Sequence, residues 1–133
     1  MASRPERTYL KGTWQRGRAF SPAVLTRGGN VLWIAGHGAH QDDDGNSLAG
    51  DFTAQTHQAF KNLRRTMAEA GAALSDIVTM TVFIIDARYG DEFTRIRGTY
   101  FDDDEYPASA LITVAGFARS EMMVEIQPIA VVD

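Results

Sequence analysis

Residues 77–85, Ile-Val-Thr-Met-Thr-Val-Phe-Ile-Ile, constrain the fold more than any other stretch of the chain. Most are β-branched and none is charged, which predicts a central strand covered on both faces. Such a strand needs a layer on each side. One layer is legible at once. Phe52, Thr56, Ala59, Phe60, Leu63, Met67 and Ala70 recur at three- and four-residue steps and make one apolar helical face. Asp51 is placed to cap that helix and Gly71 to stop it. A shorter helix follows over residues 91–100, with Phe93, Ile96, Arg97 and Tyr100 at helical spacing.

The other apolar runs are strands. Residues 23–26 and 31–35 flank Arg27-Gly28-Gly29-Asn30, where the glycines supply positive φ for a hairpin. Gly36-His37-Gly38 ends the second of these, and residues 41–50 form a loop rich in Asp, Asn and Gly. Near the end, Tyr106-Pro107-Ala108-Ser109-Ala110-Leu111-Ile112-Thr113-Val114 reads as a strand entered through a proline. A turn over residues 116–121 leads into Met123-Val124-Glu125-Ile126-Gln127-Pro128-Ile129-Ala130, a strand with one acidic residue in an apolar run. The order is β-β-α-β-α-β-β, an α+β, two-layer sheet with two helices on one face. The two ββ connections are short enough for hairpins, and each helix allows a parallel crossover. Alternate strand residues (Leu32/Ile34, Thr81/Phe83, Leu111/Thr113, Val124/Ile126) leave neither sheet face polar enough for water. The second face is therefore expected to be covered by copies of the same chain, an oligomer.

At 133 residues the chain is read as one domain, with residues 1–19 an N-terminal extension that has room for a first strand. A domain of this length buries roughly 68% of its unfolded surface and needs no metal or disulfide to fold. There is no cysteine, which removes thiolate nucleophiles and Cys-based zinc sites and is compatible with a cytoplasmic location. The first twenty residues are polar, with Arg4, Arg7, Lys11, Arg16 and Arg18. Neither a signal peptide nor a membrane span is expected. Net charge is −4, with acid gathered at residues 42–44 and 102–105. Both runs read as solvated loops and lack calcium-loop spacing. No basic stripe exists to neutralise phosphates, so nucleic acid is not an expected partner.

The segments just quoted resemble the RidA family, also called YjgF or L-PSP. The likeness runs over residues 20–131. Phe20-Ser21-Pro22-Ala23-Val24 is similar to its Y-S-x-A-V, and Trp33-Ile34-Ala35-Gly36-His37 to its strand ending in S-G-Q. Gln55-Thr56, Asn62-Leu63, Ala70-Gly71-Ala72 and residues 76–83 continue it. Pro107-Ala108-Ser109 and the run from Glu125 to Ala130 match its P-A-R-S and E-I-x-x-I-A. The resemblance implies a chorismate-mutase-like fold, a homotrimer with pockets between subunits, and hydrolysis of enamines and imines such as 2-aminoacrylate without a cofactor. It places Glu125 as the glutamate that positions water, Gly36 as a backbone contact and Phe20 as the pocket wall. Three departures stand out. Ser109 replaces the arginine that holds the substrate carboxylate, Leu111 stands where many members have cysteine, and His37 replaces glutamine.

Each site residue has competing readings. Glu125, among apolar neighbours, is either a paired or pKa-raised carboxylate suited to acid–base work, or an edge-facing surface glutamate. Ser109 cannot clamp a carboxylate bidentately, and no G-x-S-x-G elbow makes it a nucleophile. It is a substrate-contacting hydroxyl or a small lining residue. His37, between two glycines at a strand end, is a pocket acid–base group or a solvent-facing loop residue. His40 and His57 have weaker claims, and no third ligand with His37 and His40 points to metal. Arg18 or Arg119 is a candidate to restore positive charge to the pocket. The expected activity is hydrolysis of an imine, enamine or related C–N bond of a small metabolite, with 2-aminoacrylate itself disfavoured by Ser109. The alternative is a non-catalytic, small-metabolite-binding trimer of the same fold.

Overall fold

The computed structural model describes residues 5–133; Arg4 and the start of the N-terminal extension lie outside the described residues. The strands are β1 (Glu6–Tyr9), β2 (Val24–Arg27), β3 (Asn30–Trp33), β4 (His37–Gly38), β5 (Ile77–Ile84), β6 (Ala108–Thr113) and β7 (Val124–Val132). The helices are α1 (Phe52–Ala68) and α2 (Gly90–Arg97). Asp51 caps α1 through an Oδ1 that accepts from the Ala54 N–H at 3.0 Å. Gly71, at φ +68°, takes the chain out of the helix in the left-handed region expected of glycine.

The main sheet runs β3-β7-β5-β6, with β4 adding to β7. β5 is central, parallel to β6 and antiparallel to β7. Register sorts the two faces. Met80, Val82 and Ile84 align with Pro128, Ile126 and Val124 and turn towards the helices. There they meet Phe60, Leu63, Met67, Phe93 and Ile96, all fully buried, so the core lies between sheet and helices. The opposite face carries Val31 and Trp33 from β3, Thr81 and Phe83 from β5, Ile112 from β6, and Glu125, Gln127 and Ile129 from β7. Trp33 is 76% exposed, and Val31 and Ile112 are also open.

Two expected hairpins do not form. Gly28 and Gly29 do adopt positive φ, but β2 pairs with β1 in a separate two-stranded sheet while β3 pairs with β7. The long β7 takes up the ladder groups of β3, which leaves β2 to satisfy its own with the N-terminal extension. Likewise β6 and β7 are not neighbours, because β5 lies between them. The connection over residues 114–123 must therefore cross one intervening strand, a span of about 10 Å between sheet positions. That crossing builds a wall on the open face.

Candidate functional site

Glu125 lies on the open face of β7, opposite Phe83 of β5 and Gly38 of β4. The crossing connection folds over it. Phe83, Val114, Gly116, Phe117, Ala118 and Glu125 line a depression of about 310 Å³. The floor is shaped by a missing side chain: a Cβ on Gly36 would sit 2.8 Å from the Glu125 Cδ and 3.0 Å from its Oε2. Glycine at this position lets the carboxyl group lie against backbone. Glu125 is half-buried, and its carboxylate has no hydrogen-bond or ion-pair partner among the described residues. An acceptor held in an apolar dish with no partner of its own is available to a ligand or a water.

The loop entering β7 is pinned from the helix side. Fully buried Gln55 on α1 donates from Nε2 to the carbonyls of Leu48 and Glu121 at 3.0 and 2.7 Å, and its Oε1 accepts from the Met123 N–H at 2.8 Å. Three bonds from one buried amide hold the segment two residues before Glu125. The Gln55-Thr56 motif therefore acts on the site from beneath the sheet. Arg119 sits exposed in the loop bordering the depression, with no ion-pair partner among the described residues.

His37 is elsewhere. It pairs with Ile126 and so belongs to the helix-facing side of the sheet. Its Nδ1 is 2.8 Å from the Ala35 carbonyl and its Nε2 2.7 Å from the Thr66 Oγ1. A carbonyl can only accept, so Nδ1 carries a proton, and in the neutral ring Nε2 accepts from the threonine hydroxyl. Both nitrogens are spent inside the fold, and His37 does not share a face with Glu125. His57 likewise bonds the Tyr100 hydroxyl at 2.6 Å. Among the described residues no group of three or more His, Asp or Glu side chains is disposed to hold a metal.

A second cluster forms at the β6 edge. Ser109 aligns with Met80 and Leu111 with Val82, so both lie on the helix-facing side, away from Glu125. The Ser109 Oγ accepts a hydrogen bond from Nη1 of Arg97 at 2.7 Å. Arg97 is only 2% exposed, donates from Nη2 to the Arg18 carbonyl at 3.1 Å, and leaves its Nε without a partner among the described residues. Its guanidinium packs 5.1 Å from the Phe93 ring and 5.6 Å from the Phe20 ring. Burial, with a smaller contribution from the charge of Arg18, brings its pKa down to about 10. Arg18 itself is drawn outward to Asp91 at 2.9 Å. Phe20 also meets Trp14 edge-on and borders a depression of about 440 Å³ with Lys11, Gln15, Ser21 and Tyr106.

The family resemblance singled out Glu125 and Gly36, and sequence spacing did not add Phe83, Val114, Phe117 or Ala118. These come together only because the β6–β7 connection crosses β5. It also grouped Arg97 with the apolar face of α2, and the signal available was that an arginine stood in a row of core positions.

A mixed sheet with both helices on one face and a glutamate-floored depression on the other defines a two-layer α+β protein. A family model described as endoribonuclease L-PSP matches residues 15–132. RutC family proteins of Pyrococcus abyssi and Pyrococcus horikoshii are each 28% identical to this chain. They align over 102 and 111 residues, 77% and 84% of this chain and 79% and 85% of theirs. Among solved structures, the Rid-family protein YyfB of Yersinia pestis superposes with a TM-score of 0.83 at 24% identity, covering 95% of this chain and 98% of its own. A YjgF/YER057c/UK114 family protein of Mycobacterium tuberculosis gives 0.65 at 25% identity, covering 96% and 100%. The chain belongs to the L-PSP family, the RidA/YjgF proteins. No helix among its described residues is long and apolar enough to cross a membrane.

Proposed function

We propose that the protein is a cytoplasmic hydrolase of small imines or enamines, with Glu125 managing the proton transfers. The observation that carries this reading is the Glu125 carboxylate, without a partner among the described residues, lying against Gly36 at the floor of an apolar depression. The chemistry needs no cofactor. Glu125 accepts a proton from water as the water oxygen bonds to the imine carbon, and the C=N π pair moves to nitrogen. The same proton passes to that nitrogen. Glu125 then takes the hydroxyl proton and delivers it to the amine nitrogen, so that collapse of the carbon to a carbonyl breaks the C–N bond and releases ammonia.

The working unit of this proposal is a homotrimer. Its support is the apolar open face with Trp33 and Ile112, together with the trimeric arrangement that the family resemblance implies. Glu125 and Ser109 lie on opposite faces of one chain, so a pocket containing both requires the open face of one copy and the β6 edge of another. Phe20, Leu111 and Arg18 belong with Ser109 in that scheme, and Gly36 and Arg119 with Glu125. His37 is left as a fold-stabilising residue.

Ammonia release from a panel of imines, by wild type and by Glu125→Gln, tests the proposal. Loss of at least a hundredfold in the variant is expected, the scale of general acid–base contributions. Equal turnover by the two proteins would overturn it. The second reading, a binding trimer without turnover, is favoured by Ser109 standing where the family has arginine. It predicts small metabolites retained by the wild type with no ammonia formed. The RNA-cleaving activity in the family's description finds no support in a chain of net charge −4.

A further inference from the structure

The loop before α1 and the middle of α1 enclose a depression of about 380 Å³, lined in part by Gly38, His40, Asp42, Asp43, Gln58 and Asn62. Its size lies in the range of small-molecule pockets, and it shares no lining residue with the depression at Glu125. Gln58 is only 9% exposed. Its Nε2 spans two walls, donating to the Asp43 Oδ1 at 2.9 Å and to the Asn62 Oδ1 at 3.0 Å. Asn62 is fixed in turn by donating from Nδ2 to the Gly38 carbonyl at 3.1 Å. Turning either amide round would set oxygen against oxygen, so both orientations follow from the network. The Gln58 Oε1 shares a carbon with that Nε2 and is held at the same end of the side chain. It has no hydrogen-bond partner among the described residues and is not sealed from solvent. A buried amide ordinarily has both ends satisfied.

Two further acceptors line the same depression. The half-buried His40 ring makes no hydrogen bond among the described residues. Asp42 accepts from the N–H groups of Asn46 and Asp44, both at 2.9 Å, and from the Asn46 Nδ2 at 3.2 Å. These bonds, that from the Asn46 N–H foremost, hold its pKa below the ordinary carboxylate value, and it is an anion at neutral pH. Lys61 and Arg65 both pair with Asp43, and no cation pairs with Asp42 among the described residues. We propose that this depression binds a primary ammonium group, with the Gln58 Oε1, the Asp42 carboxylate and the His40 ring each accepting one of its three protons. An ammonium is three donors and no acceptor, the complement of what these side chains leave open. Its bond to Asp42 is charged on both sides. The ligand class is small alkylamines, or the amino end of a larger metabolite. The site stands apart from the hydrolase reading above and does not depend on it.

Titration of the isotope-labelled full-length chain with butylammonium chloride, followed by NMR, tests the site. Tetramethylammonium chloride is the control, since it carries the charge without an N–H donor. Saturable shifts are expected with butylammonium at the backbone amides from Gly38 to Asp42 and at the side-chain amides of Gln58 and Asn62, and none that saturate with the control. Gln58→Met should weaken binding roughly tenfold or more, the factor carried by a hydrogen bond to a charged group. Asp42→Asn removes the charge while its amide oxygen can still accept from the loop N–H groups, and it should weaken binding by a similar factor. It decides the matter if Gln58→Met does not fold. Shifts that stay linear in concentration would overturn the site, as would equal shifts with tetramethylammonium. So would saturation centred on Gly116 and Glu125 rather than on this loop, or unchanged affinity in either folded variant.

Discussion

Replacing Gly36 by alanine puts the placement of Glu125 to a direct test. The new Cβ would lie 2.8 Å from the Glu125 Cδ, 3.1 Å from its Cγ and 3.0 Å from its Oε2. Ordinary van der Waals contact begins near 3.4 Å, so the carboxyl group must retreat by about 0.6 Å. It can do so cheaply, because no partner among the described residues holds it and the depression lies beside it. An off-rotamer side chain costs about 0.5–1.5 kcal/mol, so stability should change little. Catalysis is less tolerant. A misplacement near 1 Å can cost about a hundredfold, which puts the expected fall in kcat at roughly tenfold to a hundredfold. Gly38→Ala is the matched control. Its Cβ would meet the Val124 carbonyl at 2.7 Å and the Met122 Cε at 2.5 Å. The methionine end can swing aside, but the carbonyl belongs to the backbone of β7. Overpacking of this kind costs about 1–3 kcal/mol, a fall of roughly 3–10 °C in thermal midpoint for a chain of this length. Thermal melts by circular dichroism and ammonia-release kinetics on both variants separate the cases. Wild-type kcat/KM in Gly36→Ala would refute the reasoning, as would an activity loss no larger than its loss of folded protein.

The open sheet face and the acidic loop give further outcomes. Trp33→Ser combined with Ile112→Ser removes two of the large apolar groups from the face proposed to bind other copies, and sedimentation should shift from trimer to monomer with loss of turnover. A wild-type chain that sediments as a monomer would remove the shared pocket. Asp43 accepts from Arg65, Lys61 and Gln58, and these partners, Arg65 foremost, hold its pKa well below the usual carboxylate range. A depressed folded-state pKa stabilises the fold above the unfolded value and loses that contribution as pH falls through the folded one. Asp43→Asn should therefore lower the denaturation midpoint at pH 7. The difference from wild type should shrink below about pH 4 and in high salt. A difference independent of pH would show that the ion pairs contribute nothing.

Much of the fold was legible in the residues because it follows from local spacing. The α1 face, its Asp51 cap, the β5 run and the proline before β6 each rest on a periodicity or a backbone constraint carried by neighbouring residues. Strand partners were not legible. Gly28-Gly29 announces a turn, and the turn is there, yet which strand takes the hydrogen bonds on either side depends on β1 and β7, far away in sequence. The same holds for the closing strands. Their short separation suggested a hairpin, and the insertion of β5 between them is a property of the whole sheet.

The division is sharpest at the site. The residues alone determined that a glutamate would interrupt the last strand, that a glycine would end the strand before β4, and that serine would stand where arginine is expected. They also raised the expectation that other copies of the chain would cover the sheet's second face. Tertiary structure decided what these residues touch. The β5–α2–β6 crossover carries Arg97 back over the β6 edge onto Ser109, and the β6–β7 crossing raises a wall beside Glu125. It also put His37 and Glu125 on opposite faces, although β4 and β7 are paired neighbours. The physical reason is the period of two along a strand. One residue of register sends a side chain to the core or to the open face, and register is set by partners that no local pattern names.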